Sequence, residues 1–147
     1  MNTIEHLPAW LLGAYAGVLG ALTGSFLNVV IARLPEGMSV VRPRSRCPQC
    51  ESLISWFDNI PVLSWLILQG RCRTCKKAIA LRYPLVEFLT SCVFLSFYLR
   101  YGLSFNLLLW LPLSAALLAI TFLDIDHFWI PDVITFPAML YVFALTW

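Results

Sequence analysis

Two groups of residues in this 147-residue chain have the types and spacing to do chemistry. The first is Cys47-x-x-Cys50, followed after 21 intervening residues by Cys72-x-x-Cys75. Each C-x-x-C makes a tight turn that aims two sulfurs at one ion. Two such turns complete the tetrahedron of a four-cysteine zinc ribbon. Four protein ligands leave no open position for water, so the expected Zn²⁺ is structural rather than hydrolytic. Arginines and lysines flank both turns and favour the thiolate form. Disulfide pairing is the alternative; a cytoplasmic setting, where thiols stay reduced, weighs against it. The fifth cysteine, Cys92, stands in an apolar stretch and reads as a small apolar residue.

The second group is LDIDHFWIPD, residues 123–132, where Asp124, Asp126 and Asp132 are the only acids in the last sixty residues. Asp124 directly follows an apolar run, which puts its carboxyl at, or slightly within, a membrane boundary. An ionised carboxylate is costly to bury there, so such a residue is a functional-site hypothesis, as a proton handler or ion ligand. Pro131 allows a turn into a new helix, and Asp132 in that helix's first turn is favoured by the dipole. Asp126 and His127 read as a solvated interfacial loop, with metal binding by Asp124, Asp126 and His127 a weak alternative. Acid proteolysis needs two carboxylates sharing one proton. A pair drawn from these three acids would have to close across the turn at Pro131.

The elements that must position these groups are membrane helices. The chain is 60% hydrophobic and 12% charged, with mean hydropathy +0.79, whereas soluble domains carry about 25% charged residues. Leu7 to Ala32 holds 26 residues without formal charge, and Tyr101 to Leu123 holds 23 more. Roughly 20 apolar residues cross a bilayer core. The expected fold is therefore an all-α integral membrane helical bundle with a small cytoplasmic zinc-ribbon insert. Transmembrane helix 1 covers 7–33, the insert 34–82, helix 2 83–100 and helix 3 103–124. A cytoplasmic loop over 125–132 and the start of a fourth helix over 133–147 complete the plan. The N-terminus MNTIEH lacks a basic n-region, so helix 1 is expected to be retained rather than cleaved.

Nine of the ten Lys and Arg residues lie between Arg33 and Arg82. The positive-inside rule then puts residues 33–82 in the cytoplasm, the N-terminus outside and Asp124 at the cytoplasmic end of helix 3. Topology accounts for these charges, and a net charge of +2 is too small to argue for nucleic acid. Within helix 1, Gly13-x-x-x-Gly17 and Gly20-x-x-x-Gly24 suit close helix packing inside one protein. Ser25 and Asn28 are expected to face protein or interfacial water. Between the cysteine turns, Trp56 and Trp65 suit either a segment lying on membrane lipids or a small core for the ribbon.

GSFLNVVIARLP (24–35), then CPQC with DNIPVLSWLILQGRCRTCKKAIALRYPLVE, then DIDHFWIPD together resemble the type IV prepilin peptidases, also called prepilin leader peptidase/N-methyltransferases. The resemblance covers nearly the whole chain, with its motifs in the family's order. It implies a membrane aspartic endopeptidase of the bacterial inner membrane whose partners are prepilin and pseudopilin substrates. Their leaders would be cut at the cytoplasmic face, with Asp124 as the first catalytic aspartate. It also implies methylation of the new N-terminus with S-adenosylmethionine; the Gly70-Arg71 step is a guess at that cofactor's place. The family's second catalytic aspartate belongs to a Gly-x-Gly-Asp motif, and no Gly-Asp pair occurs in this sequence. The expectation is an N-terminal portion of a longer protein, inactive alone as a peptidase. The competing reading is a non-catalytic membrane protein whose zinc ribbon docks a cytoplasmic partner.

Overall fold

The computed structural model describes residues 8–146. The expected limits of the first and fourth membrane segments, Leu7 and Trp147, lie outside the described residues. The described chain is mostly helical and has no strands. In order it forms α1 (Ala9–Arg33), a 3₁₀ turn at Trp56–Asn59, and α2 (Leu63–Ile67). Then come α3 (Arg82–Tyr101), α4 (Phe105–His127) and α5 (Asp132–Thr146).

Two of these helices, α1 and α4, are long and apolar enough to cross a membrane. The second expected span, over 83–100, forms α3 but does not reach that apolarity. The reason lies in its polar residues, Glu87, Thr90 and Ser91, which are turned toward its neighbours. Thr90 is fully buried with its hydroxyl on the Val86 carbonyl at 2.7 Å. Ser91 Oγ donates to the Gly17 carbonyl of α1 at 2.8 Å.

The glycines of α1 make that approach possible. A Cβ at Gly20 would lie 2.7 Å from Ser91 Cα, and one at Gly24 would lie 2.6 Å from Glu87 Cα. Any side chain at either position would force the helices apart. Gly13 faces Leu95 and Tyr98 while Gly24 faces Glu87, so α1 and α3 run antiparallel. The small-residue pattern thus seats a helix of the same chain. Helix α4 closes the packing: Leu27 and Ile31 of α1, Val86 and Phe94 of α3, and Ala115, Ala119 and Leu123 of α4 form one buried cluster. Phe97 stacks on Trp110 at 5.8 Å to join the far ends of α3 and α4.

The fold departs from the expected plan at the acidic corner. The loop anticipated over 125–132 is shorter, because α4 continues through His127. Phe128 ends the helix in the left-handed conformation (φ 50°), its N–H returning to the Asp124 carbonyl at 2.8 Å. A left-handed residue past the last turn satisfies a terminal carbonyl and redirects the chain. Helix α5 opens immediately after Pro131, with Asp132 in its first turn.

Candidate functional site

The cysteine insert consists of two copies of one turn. Cys47 N–H bonds the Ser52 carbonyl at 3.0 Å, and Cys72 N–H bonds the Lys77 carbonyl at 2.9 Å. Glu51 and Lys76, each just after its second cysteine, adopt positive φ (56° and 59°) and bond back to the first cysteine's carbonyl. Isolated bridges close both turns, Arg46 to Leu53 and Arg71 to Ala78. All four sulfurs lie within 4.8 Å of one another. Four sulfurs at about 2.3 Å from a tetrahedral ion stand roughly 3.8 Å apart. The Cys47–Cys75 separation is 3.9 Å, a non-bonded distance, and all four thiols are free. The donor set therefore fits a metal ion and no disulfide is formed.

The thiols differ in their hold on a proton. Ser52, through its hydroxyl and then its backbone, lowers Cys50 below the usual thiol value. The backbone N–H groups of Cys75 and Thr74 bring Cys72 down to about 6. The Lys77 N–H favours the Cys75 thiolate, but burial and the other three sulfurs outweigh it and push Cys75 up to about 11. Negative charge crowded into one place resists the last deprotonation, and a cation at the centre relieves that resistance.

The two tryptophans of the insert differ in their surroundings. Trp65 donates its indole N–H to the Ile79 carbonyl at 3.2 Å and lies over Gly70. A Cβ at Gly70 would meet the ring at 2.7 Å, and φ is +66° there, so glycine fits on both counts. Trp56 is 76% exposed and, with Leu63, Leu66 and Ile67, leaves an apolar outer face. Asp58 accepts three bonds from Arg73 at 2.6 to 3.1 Å, which hold its carboxyl below the usual range.

The acids of 124–132 do not form a cluster. Asp124 and Asp126 both lie in the last turns of α4 and are exposed, as are His127 and Asp132. Residues two apart on a helix point about 200° away from each other, so Asp124 and Asp126 diverge. Asp126, expected in a solvated loop, instead pairs with Arg82 at the start of α3. Among the described residues the four cysteines are the only metal-competent group, so Asp124, Asp126 and His127 do not assemble as ligands.

Asn28, expected to face protein or interfacial water, is buried, and two residues that sequence reasoning passed over, Glu87 and Arg82, sit where insert and helices meet. Asn28 of α1 is 3% exposed and donates through Nδ2 to the Tyr83 carbonyl at 2.9 Å. Glu87 accepts the Val62 N–H at 2.8 Å. Val62 is β-branched yet sits at φ 61°, a strained conformation held where the insert docks on α3. Arg82 links the end of the insert to the end of α4. The sequence signals were an acid, an amide and a base at the edges of apolar runs. Between insert and helices these residues enclose a cavity of about 650 Å³, lined by Asn28, Asp58, Trp65, Arg73, Arg82 and Glu87 among others.

With this geometry in place, comparison with known proteins gives the class. Residues 18–101 match the bacterial peptidase A24 N-terminal domain, and the chain belongs to that family. The chain is 47% identical to a prepilin leader peptidase/N-methyltransferase of Myxococcus xanthus, covering 97% of this chain and 44% of that protein. It is 45% identical to a type 4 prepilin-like proteins leader peptide-processing enzyme of Escherichia coli, over 91% and 56% of the two chains. A prepilin leader peptidase/N-methyltransferase of Pseudomonas putida is 40% identical, over 90% and 53%. The chain thus spans about half the length of these relatives. No solved structure matches it significantly.

Proposed function

We propose that this chain is the N-terminal half of a membrane aspartic endopeptidase that cleaves the leaders of type IV prepilins and type II secretion pseudopilins. In this reading α1, α3 and α4 span the bacterial inner membrane, with the N-terminus outside and residues 33–82 in the cytoplasm. Asp124 is the first carboxylate of the catalytic pair. The observation that carries the reading is the position of Asp124 at the end of α4 to which Arg82 ties the cysteine insert through Asp126. A leader approaching the basic cytoplasmic face would meet that end first.

The chemistry requires two carboxylates, one ionised to take a proton from water and one protonated to give a proton to the departing amine. Asp126 is committed to Arg82 and points away from Asp124, which supports a second acid outside these residues. Cys47, Cys50, Cys72 and Cys75 would hold one Zn²⁺ that fixes the insert. The N-methyltransferase in the relatives' names supports a second activity, in which S-adenosylmethionine would supply the methyl group for the new N-terminus.

The test is cleavage of a synthetic prepilin in detergent by residues 1–147, by the complete protein, and by the complete protein carrying Asp124→Asn. The reading requires cleavage by the unaltered complete protein alone. Equal cleavage by the Asn variant sinks the role of Asp124, whereas no cleavage even by the unaltered complete protein favours the docking alternative. Cleavage by residues 1–147 would return Asp126 or Asp132 to the catalytic pair.

A further inference from the structure

The insert leaves one apolar face uncovered. Helix α2 carries Leu63, Leu66 and Ile67 at the i, i+3, i+4 spacing that puts them on one side, and all three are exposed. Trp56 and Phe57, in the 3₁₀ turn that packs on α2, are exposed as well. The far side of α2 is occupied, with Trp65 over Gly70 and bonded to the Ile79 carbonyl. An apolar face of this kind, rimmed by polar residues, marks a surface that meets something other than water.

What it meets follows from its depth. The N–H of Val62, the residue before α2, is held by the Glu87 carboxylate at 2.8 Å. Glu87 lies five residues into α3 from Arg82, about 7.5 Å along the axis. Its Cα faces Gly24, nine residues before the end of α1 at Arg33, about 13 Å along that helix. A helical side chain leans toward its helix's N-terminus, here the cytoplasmic end, over about one turn. Val62 therefore stands beside the last turns of α1, not beyond them. The cavity agrees, since Ser64, Trp65 and Leu68 share its wall with Ser25, Asn28 and Val29 of α1. At this level Phe26 of α1 and Leu85 of α3 are exposed, so the helices too are apolar toward their surroundings. With α1 and α3 spanning, those surroundings are the inner edge of the bilayer.

Charge points the same way. Between Leu34 and Leu81 stand seven Lys and Arg residues and three acids, and Arg42, Arg44, Arg71 and Lys76 are exposed. A basic segment with an apolar face and an exposed tryptophan suits the headgroup level of a leaflet that contains anionic lipid.

We infer that α2 lies in the cytoplasmic leaflet, with Leu63, Leu66 and Ile67 seated at the boundary between acyl chains and anionic headgroups. Lipid then holds the insert on one side and Glu87 holds it on the other. The inference rests on the reading of α1 and α3 as membrane spans.

The test places the photo-crosslinking residue p-benzoylphenylalanine at Ile67, and separately at Leu66, in the complete protein. Each form is reconstituted in vesicles of phosphatidylethanolamine and phosphatidylglycerol, with zinc content as the folding control. The same residue at Phe26 reports lipid around α1, and at Lys76 it reports the water-facing side of the insert. After illumination, mass spectrometry should find lipid adducts at Ile67 and Leu66 in yields close to that at Phe26 and well above that at Lys76. Adducts at Phe26 with none at either α2 position overturn the inference and leave the spans intact. Lipid adducts at none of the four positions overturn the membrane reading itself. Adducts at the α2 positions that form only with added prepilin, and to that prepilin, overturn the inference in favour of a substrate-docking face.

Discussion

The four-cysteine insert and the acidic corner between α4 and α5 are built on opposite principles. In the insert, each functional atom is placed by its own few neighbours. The same hydrogen bonds, the same positive φ and the same closing bridge recur 25 positions apart, at Cys47 and again at Cys72. At the corner, neighbours in sequence are separated in space. Asp124 and Asp126 leave α4 on different sides, and what distinguishes them is Arg82, 44 residues earlier in the chain. A metal-competent donor set made of two local turns reads as a motif, whereas a carboxylate's surroundings depend on what the rest of the fold brings to it.

The largest effect should come from removing the metal. Binding by a structural zinc site is worth on the order of 10 kcal/mol, far more than any other single contact in the insert. Chelation, or Cys72→Ser, should abolish bound zinc, from one per chain, and open residues 45–79 to limited proteolysis while α1 and α3 stay helical by circular dichroism. An insert that stays resistant without metal would mean that Trp65 and its surroundings hold it, and the contrast with the corner would fail.

The next comparison is inside the corner. In the complete protein Asp124→Asn should reduce prepilin cleavage by about 10³-fold, within the span for a group that moves a proton. Asp126→Asn should cost about tenfold, because it acts only through Arg82. Exchanging the charges, Arg82→Asp with Asp126→Arg, should recover part of that smaller loss in a double-mutant cycle. Equal losses from Asp124→Asn and Asp126→Asn would make the two acids one functional unit.

A smaller effect is expected where the helices meet. Gly24→Val introduces side-chain atoms within contact of Glu87 Cα and the Val86 carbonyl. Overpacking of this kind costs about 1–3 kcal/mol. It should lower the thermal midpoint in detergent, whereas Gly37→Val, at a position with nothing within 4 Å, should suffer only from its φ of +65°.

The smallest effect concerns Asp58. Arg73 holds its carboxyl below the usual value in the folded chain. Stability from such a group is full above the unfolded-state value and is lost only as pH falls through the lowered one. The gap in melting temperature between zinc-loaded wild type and Asp58→Asn should therefore stay flat from about pH 8 to pH 5 and close only below about pH 4. A gap that changes near neutrality would implicate another group.

Much of this molecule was legible because its signals are local. The cysteine spacing identified the donor set, and long apolar runs identified α1 and α4. The glycines at 20 and 24 announced a close helix approach, although only the fold named α3 as the partner. Asn28, Arg82 and Glu87 were not legible as a group. Their partners lie 55, 44 and 25 residues away, and nothing in periodicity links such positions.

The sequence by itself determined which residues are apolar enough to form the bundle and which sulfurs meet, because hydrophobic runs and tight turns act over a few residues. Tertiary structure alone decided that α3 turns its polar residues to α1 and the insert, and that Asp126 answers to Arg82 while Asp124 stays exposed. It also set Asn28 against the Tyr83 carbonyl and Glu87 against the Val62 N–H. The physical reason is that a buried polar group must find a partner wherever the packed helices put one, and that choice is made in space rather than along the chain.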